Sequence, residues 1–528
     1  MDYRAACVAA GLLDAKAPKG VEHRLPYDTI KRDYCIRDTA VTFKLWHHLH
    51  NLLLTDSGAM SLLLTVEQPM VDCVIEMENT GFYIDKPGSA EMIDTLSTGC
   101  DDLRAQMHTL VPYTQGKEVV YKAGYMRRKI DTIIEQRGVT KAGKAKTRRV
   151  DVFDTTYSHC TLIDFNPNSG AHVTRSLINM YGWEPEKMTP SGKPATDADV
   201  LDGLAYPLAT VLCEYSTLNK MHGMIAGYMA ALGDGRRLHG SFNQVVTKTG
   251  RLSSSDPNMQ NIPTNGVWGD RMRSLFVSPG AGWKMVGCDL SNIEGRVLAH
   301  YLSVTKQCNE HRMSATFAAG VDFHQANADA WGLSRKEAKT GLYALLYGAG
   351  AAKVGGGNAA KGQAIMDSIY EGMPAIKVLK ELVWERCAAN GGVIHDAFGR
   401  RLCYPEITEA GATVAAEVVL AADEGDGKTL KQLVQGLTAQ AKRRVFNALL
   451  QGTAASVLKK LVLLVSGYQA EYTAYLVANV HDEAIYYLPE EYASEFASRV
   501  TQTFSTPLLS NCPIMGEAKV GDSWHDIH

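Results

Sequence analysis

Two short apolar stretches, Tyr475–Val480 and Ala484–Leu488, flank the polar tip His481-Asp482-Glu483. Such a pattern around a tight acidic turn reads as a β-hairpin. A third stretch, Lys284-Met-Val-Gly-Cys-Asp289, reads as a short buried strand that ends on a carboxylate. Around these strands the chain is dominated by helical periodicity, notably over 60–111, 196–232, 292–400 and 441–466. The expected class is therefore α+β. Two aspartates at strand ends also suggest chemistry. Metal-assisted phosphoryl transfer needs at least two carboxylates converging on cations about 4 Å apart. Mg²⁺ takes oxygen ligands and keeps waters, so two aspartates, a backbone carbonyl and substrate phosphates suffice. Taken singly, Asp289 also reads as a helix cap and Asp482 as a turn residue.

A second pattern bears on the same chemistry. Arg335, Lys339, Tyr343 and Tyr347 follow one another at intervals of four. On a helix of 3.6 residues per turn each step advances about 40°, so all four lie in one stripe about 120° wide. Two cations followed by two aromatic rings suit a triphosphate followed by a sugar and base. The plain alternative is an amphipathic helix whose cations snorkel.

Composition sets the outer bounds. With 528 residues, and about 150 per domain, three or four domains are expected. A hydrophobic content of 45% and a charged content of 21% exclude a disordered, collagenous or coiled-coil chain. The net charge of −3 leaves a nucleic-acid partner open, because binding depends on local patches. One such patch runs from Lys117 to Arg149, where eleven lysines and arginines face three acidic residues, an excess of eight positive charges. The 11 cysteines include no C-x-x-C pair, so neither a zinc module nor a disulfide framework is expected, and the compartment reads as reducing and intracellular. No uninterrupted apolar run reaches the roughly 18 residues of a membrane span, and the first residues do not resemble a signal peptide, so no membrane partner is expected.

Three segments carry a family resemblance. Asp289-Leu-Ser-Asn-Ile-Glu294-Gly-Arg296 resembles motif A of the DNA polymerase I family (family A). Arg335-Lys-Glu-Ala-Lys339-Thr-Gly-Leu-Tyr343-Ala-Leu-Leu-Tyr347-Gly348 resembles its motif B, and Val480-His481-Asp482-Glu483 its motif C. Thr249-Gly250-Arg251-Leu252-Ser253, Pro257–Pro263 and Gln451–Ala455 also match family segments. The resemblance covers roughly residues 60–528. Gly348-Ala-Gly350, Phe165-Asn-Pro-Asn-Ser169 and the stretch Trp524–His528 look most like replicative polymerases of short-tailed bacteriophages. Three positions depart from the family pattern. Gly295 stands where motif A usually has leucine, and Gly341 and Ala344 differ within motif B, which is expected to loosen or re-pack those helices. Residues 406–440 match nothing and read as an insertion.

The resemblance implies a right-hand fold of palm, fingers and thumb, and DNA-directed DNA polymerase activity with two Mg²⁺ ions. It implies metal binding by Asp289, Asp482 and the Leu290 carbonyl, with Glu483 as a nearby supporting acid. Arg335 and Lys339 would bind the incoming deoxynucleoside triphosphate. Tyr343 would sense the 3′ side of the sugar, Tyr347 would pack near the templating site, and Glu294 with that tyrosine would block a 2′-hydroxyl. His324 matches a phosphate contact but also reads as a helix-start histidine. Arg251, Asn447 and Gln451 would touch the primer-template minor groove, where acceptors are similar for all correct pairs. His481 and Gly348 would also lie against DNA, and Arg251, Asn447 and Gln451 each have the lesser alternative of a structural polar residue.

The expected domains are 1–55, a remnant of a 3′–5′ exonuclease; 56–237, a thumb with a basic insertion over about 112–160; and 238–528, palm and fingers, with fingers near 300–400. The insertion either grips DNA, docks a processivity factor or is a solvated loop. Tyr34-x-x-x-Asp38 resembles the third exonuclease motif, but no D-x-E precedes it. The expectation is therefore no proofreading by this chain, the missing acids being either lost or supplied by a second chain that completes the nuclease. A phage-encoded enzyme would work in the host cytoplasm. The rivals are a single-subunit RNA polymerase, against which Glu294 beside Tyr347 argues, and a non-catalytic DNA-binding accessory protein, against which the intact Asp289, Asp482, Arg335 and Lys339 argue.

Overall fold

A computed structural model describes residues 29–115, 119–121, 129–139, 145–153, 157–159, 162–185, 187–189, 192–263, 266–421 and 428–528. At its centre is a four-stranded antiparallel sheet. In chain order its strands are β1 (Trp283–Leu290), β2 (Tyr475–Val480), β3 (Glu483–Pro489) and β4 (Gly516–Gly521), and their spatial order is β2-β3-β1-β4. The central strands are apolar on both faces, and Met285–Cys288 and Ala484–Leu488 are all buried. Such runs are stable only when both faces are covered.

Cover comes from helices. The longest, Leu430–Ser466, has 37 residues and begins with a capping box between Thr429 and Gln432. Its second half, from Val445 onward, is almost wholly buried, whereas in its first half only Leu433 and Ala441 are buried, and the helix packs against Glu409–Ala421. The apolar segment 406–440 therefore forms much of a helical hairpin, with Val414 and Val418 exposed on its outer side. Helix Glu490–Phe504 covers the sheet with Phe496, Val500 and Phe504.

Two further helices, Lys86–Leu110 and Pro207–Leu232, lie along each other. Leu96, Leu103 and Met107 on one share the core with Leu212, Tyr215 and Ile225 on the other. The chain between them contains the antiparallel strands Lys129–Val139 and Ala145–Phe153, paired from Lys129↔Phe153 to Val139↔Ala145. Much of the basic segment 117–149 is thus β-ladder where a solvated loop was one reading: Val119–Tyr121 pairs in turn with Tyr157–His159, and 117–118, 122–128 and 140–144 lie outside the described residues.

A buried ion cluster ties distant segments together. Glu67 accepts from Lys459 Nζ at 2.8 and 3.0 Å and from the Arg400 guanidinium. The Arg400 guanidinium fills the space beneath Gly250 where a Cβ would stand, and Gly250 also has a positive φ of 76°. Among the described residues two helical stretches, Ser57–Thr80 and Leu430–Ser466, are long and apolar enough to cross a membrane by length and hydropathy, although neither is an uninterrupted apolar run. Both are tied into the fold: the second is 78% buried, and on the first Glu67 takes the bonds just given while Glu76 accepts from Leu476 N–H at 2.9 Å.

The departures at Gly295 and Gly341 re-pack the helices and do not loosen them. A Cβ on Gly295 would meet the stacked rings of Phe317 and Phe323 at 3.1–3.4 Å. One on Gly341 would stand 2.7 Å from Ile365 Cγ2 and 3.1 Å from Ile369 Cδ1. Helix propensity alone favours Gly341→Ala by about 1 kcal/mol. Overpacking costs about 1–3 kcal/mol and outweighs it. The variant should therefore unfold at lower denaturant, with a net loss of roughly 1 kcal/mol; an unchanged or higher midpoint would show that the isoleucines yield freely.

Candidate active site

The hairpin is tighter than the sequence suggests. Val480 pairs with Glu483, so the turn is only His481-Asp482, and Glu483 is already strand. A two-residue hairpin turn favours positive φ at its first position, normally supplied by glycine. His481 adopts it, with φ 53°. This presents Asp482 at the end of the sheet next to Asp289, and Leu290 N–H donates to the Asp482 carbonyl at 3.1 Å. Asn292 is a second non-glycine residue with positive φ (51°), turning the chain from β1 into the helix Ile293–Val304. Backbone strain of this kind concentrates at functional sites.

Asp289, Asp482 and Leu290 line an open cleft of about 450 Å³ with Glu294, Arg251, His481, Lys339, Tyr343 and Tyr347. Larger hollows lie elsewhere, of about 790 Å³ beside the helix Gly170–Tyr181 and about 830 Å³ at the far end of the sheet, but neither joins two aspartates to lysine and tyrosine. Asp289 opens onto the cleft at its rim, yet surrounding protein withdraws its carboxyl from water. That desolvation and repulsion from Asp482 and Glu483 push it up to about 6. A cation between the aspartates would relieve this repulsion. Among the described residues no three His, Cys, Asp or Glu side chains form a metal cluster. Asp289 and Asp482 offer two carboxylates to this cleft, and such a set leaves positions for further oxygen donors and water. That set fits a hard divalent cation.

Arg251 closes one wall. Its Nη2 donates to Glu294 Oε1 at 3.0 Å and to Asp482 Oδ1 at 3.2 Å. The Tyr347 hydroxyl donates to the other Glu294 oxygen at 2.7 Å. Burial raises the Glu294 pKa despite these bonds. The Tyr343 and Tyr347 rings lie 6.4 Å apart and near-parallel. The Tyr343 hydroxyl makes only a long contact, 3.5 Å, to Asn292 Oδ1.

Motif B is a helix, Arg335–Leu346, opened by a capping box between Ser334 and Glu337. Tyr347 is its C-cap and Gly348 follows with φ 71°, where a Cβ would lie 2.9 Å from the Arg443 carbonyl oxygen. Lys339 reaches the cleft, whereas Arg335 stands outside it, with Nε on Asp322 at 2.9 Å. His324 does not line the cleft: it is buried, its Nε2 lies 3.0 Å from Asn292 Oδ1, and its Nδ1 is buried without a partner. Burial, with Lys339 and Arg335 nearby, lowers its pKa. Glu483 does not line the cleft either, and it lies buried beside Asp289. Asn447 and Gln451 stand one turn apart and half-buried on Leu430–Ser466. Ala455, one turn further on, joins Gly250, Arg251 and His481 around a narrow crevice. Tyr34 and Asp38 share the helix Thr29–Leu54, where Asp38 is exposed, and neither lines the cleft.

Asn292 and Asp322 escaped the sequence reading. Asp322 caps the helix Phe323–Trp331 and holds Arg335, and Asn292 joins His324 to Tyr343. Their signal was present, since Asn or Asp just before a helical run is a helix-start mark.

Residues 139–526 match the family model for DNA polymerase family A. DNA polymerase I of Pseudomonas aeruginosa is 30% identical over 383 residues, which is 69% of this chain and 39% of that protein. The thermostable DNA polymerase I of Thermus aquaticus is 30% identical over 378 residues, covering 68% and 42% respectively. DNA polymerase I of Chloroflexus aurantiacus is 26% identical over 518 residues, or 94% of this chain and 46% of the relative. The chain thus spans less than half the length of these relatives. In fold it is similar to the POL domain of Pol1 from M. smegmatis, solved in complex with DNA primer-template and dNTP. The TM-score is 0.68 at 21% identity, covering 89% of this chain and 72% of that one.

Proposed function

Because the chain belongs to DNA polymerase family A, we propose that it extends a primer 3′-hydroxyl with deoxynucleotides under the direction of a DNA template. The observation that carries this reading is the meeting of Asp289 and Asp482 at one cleft that also holds Lys339, Tyr343 and Tyr347. The M. smegmatis neighbour, whose complex holds primer-template DNA and dNTP, supports the same substrates for this chain. Residues 238–528 would serve as palm and fingers and the helices Lys86–Leu110 and Pro207–Leu232 as thumb.

Asp289, Asp482 and the Leu290 carbonyl would hold the metal. Two Mg²⁺ ions held there would lower the pKa of the primer hydroxyl and neutralise charge on the pyrophosphate. Lys339 places a cation over the triphosphate, and Arg335 joins it on leaving Asp322. Tyr343 stacks against the nucleotide. Glu294, held by Tyr347 and Arg251, forms the floor that excludes a 2′-hydroxyl. Arg251 also lies on Asp482 and must release it as metal and primer arrive. His324 reaches phosphate only if it moves out from behind Asn292. Asn447 and Gln451 offer donors to the minor groove on the side of Arg251, with His481 and Gly348 nearby. Tyr34 and Asp38 belong to a nuclease-like segment with no part in extension.

The decisive experiment is primer extension with Mg²⁺, comparing deoxy- and ribonucleotides. Template-directed addition of deoxynucleotides alone is expected. Ribonucleotide addition at an equal rate would point to an RNA polymerase, and no addition to an accessory protein. The basic segment would grip the duplex or dock a processivity factor. Replacing 117–149 with a short linker should reduce product length per binding event and flatten the salt dependence, while sparing single-nucleotide addition. Equal processivity in both forms, measured against a DNA trap, would leave the segment without that role.

A further inference from the structure

Glu483 sits directly across the ladder from Asp289. Residues opposed in this way point to the same face of the sheet. Two acids directly opposite one another repel. Glu483 is also 3% exposed, and its Oε1 has no hydrogen-bond partner. An acid kept only for packing would be better replaced by an apolar residue, because a buried unpaired oxygen costs about 1–3 kcal/mol.

The surroundings fix this acid in place. The indole Nε1–H of Trp524 donates to Glu483 Oε2 at 3.1 Å, and His528 Nδ1 lies 3.5 Å from the same oxygen. Trp524 is itself immobilised, stacked on Phe82 at 5.4 Å and edge-on to Phe276 at 5.4 Å. Its turn is locked by Ser523 and Asp526, whose side chains bond at 2.8 Å. On the sheet side, Gly287 leaves the space that Glu483 fills: a Cβ there would lie 2.7 Å from Oε1.

We infer that Trp524 is a positioning residue, whose indole N–H holds the Glu483 charge beside Asp289 and so strengthens divalent-cation binding by the Asp289–Asp482 pair. The inference rests on the metal-site reading above and assigns Glu483 a role beside the ligands, not among them. Partners that orient or charge a metal site from behind its ligands alter metal affinity by about 10–100-fold.

The test is a mutant cycle read by Mn²⁺ binding. Trp524→Phe keeps the stacked ring and removes the donor. Paramagnetic resonance of free Mn²⁺, titrated with the intact chain, should show binding about tenfold weaker than wild type. The half-saturating Mg²⁺ for primer extension should rise in parallel, with KM for the nucleotide changed less. Glu483→Gln should weaken Mn²⁺ binding too, and Trp524→Phe should add nothing in that background. Normal binding in Trp524→Phe with weakened binding in Glu483→Gln would overturn the role of Trp524. Additive losses would overturn it as well. Normal binding in both variants would overturn the role given to Glu483, and Mn²⁺ affinity unaffected by Asp289→Ala would instead sink the metal site itself. If Trp524→Phe fails to fold, benzothienylalanine at 524, which keeps the bicyclic shape without the N–H, takes its place with the same expected outcomes.

Discussion

Asp289→Ala and Asp482→Ala should each abolish primer extension while leaving DNA binding nearly unchanged. Both residues line one cleft, and in the proposed mechanism they would hold the metal there. Metal stabilisation of phosphoryl-transfer charge is worth several kcal/mol, so a loss of at least about 10³-fold is expected. Affinity for primer-template comes mainly from cations on phosphates, and neither aspartate supplies that. Rapid-quench measurement of single-nucleotide addition and fluorescence anisotropy of labelled duplex separate the two quantities. Extension within tenfold of wild type in either variant would mean that the pair is not the metal site. Asp482→Ala carries a second consequence, because it also frees Arg251 to bond Glu294 alone. Comparison with Asp289→Ala, which leaves that bond in place, isolates the metal effect.

Tyr343→Phe should change sugar selection with little effect on the fold. The hydroxyl's one contact is the 3.5 Å approach to Asn292, so its removal costs the free chain almost nothing. In the proposed complex, that hydroxyl stands in for the missing sugar 3′-hydroxyl of a dideoxynucleotide as a hydrogen-bonding partner of the triphosphate. Without it the polar site is unpaired, at a cost of about 1–3 kcal/mol. The ratio of deoxy- to dideoxynucleotide incorporation should therefore rise by roughly tenfold to a hundredfold. A ratio equal to wild type would remove Tyr343 from sugar recognition.

Much of this site was legible because its chemistry is carried by residues of rigid spacing. The four-residue repeat from Arg335 to Tyr347 required one helix face, and the strand ends required Asp289 and Asp482 to be exposed at turns. What stayed illegible depended on register and on partners distant in sequence. Glu483 reads as part of an acidic turn until Val480 is seen paired with it, a shift that alters which way the acid points. Gly295 and Gly341 read as weak points, because the Phe317–Phe323 stack and the Ile365 methyl that occupy their space belong to other helices. The link from Trp524 to Glu483 spans 41 residues and leaves no periodic trace. A solvated loop was one reading of residues 117–149 because charge dominates their composition, and the pairing of Lys129–Val139 with Ala145–Phe153 leaves no clear alternation in it.

The order of strands in the central sheet bears on how the chain is made. The inner strand Trp283–Leu290 has both neighbours, Glu483–Pro489 and Gly516–Gly521, far downstream. During synthesis it leaves the ribosome with two unpaired edges and waits for nearly two hundred further residues. At 5–20 residues per second that wait is roughly 10–40 s. Exposed apolar edges of this length invite pairing with other nascent chains. The intervening helical segment, rich in local contacts and therefore quick to form, would be the natural shield over that interval. Yield of active enzyme should accordingly depend on translation speed and chaperone supply far more than the stability of the finished molecule would indicate.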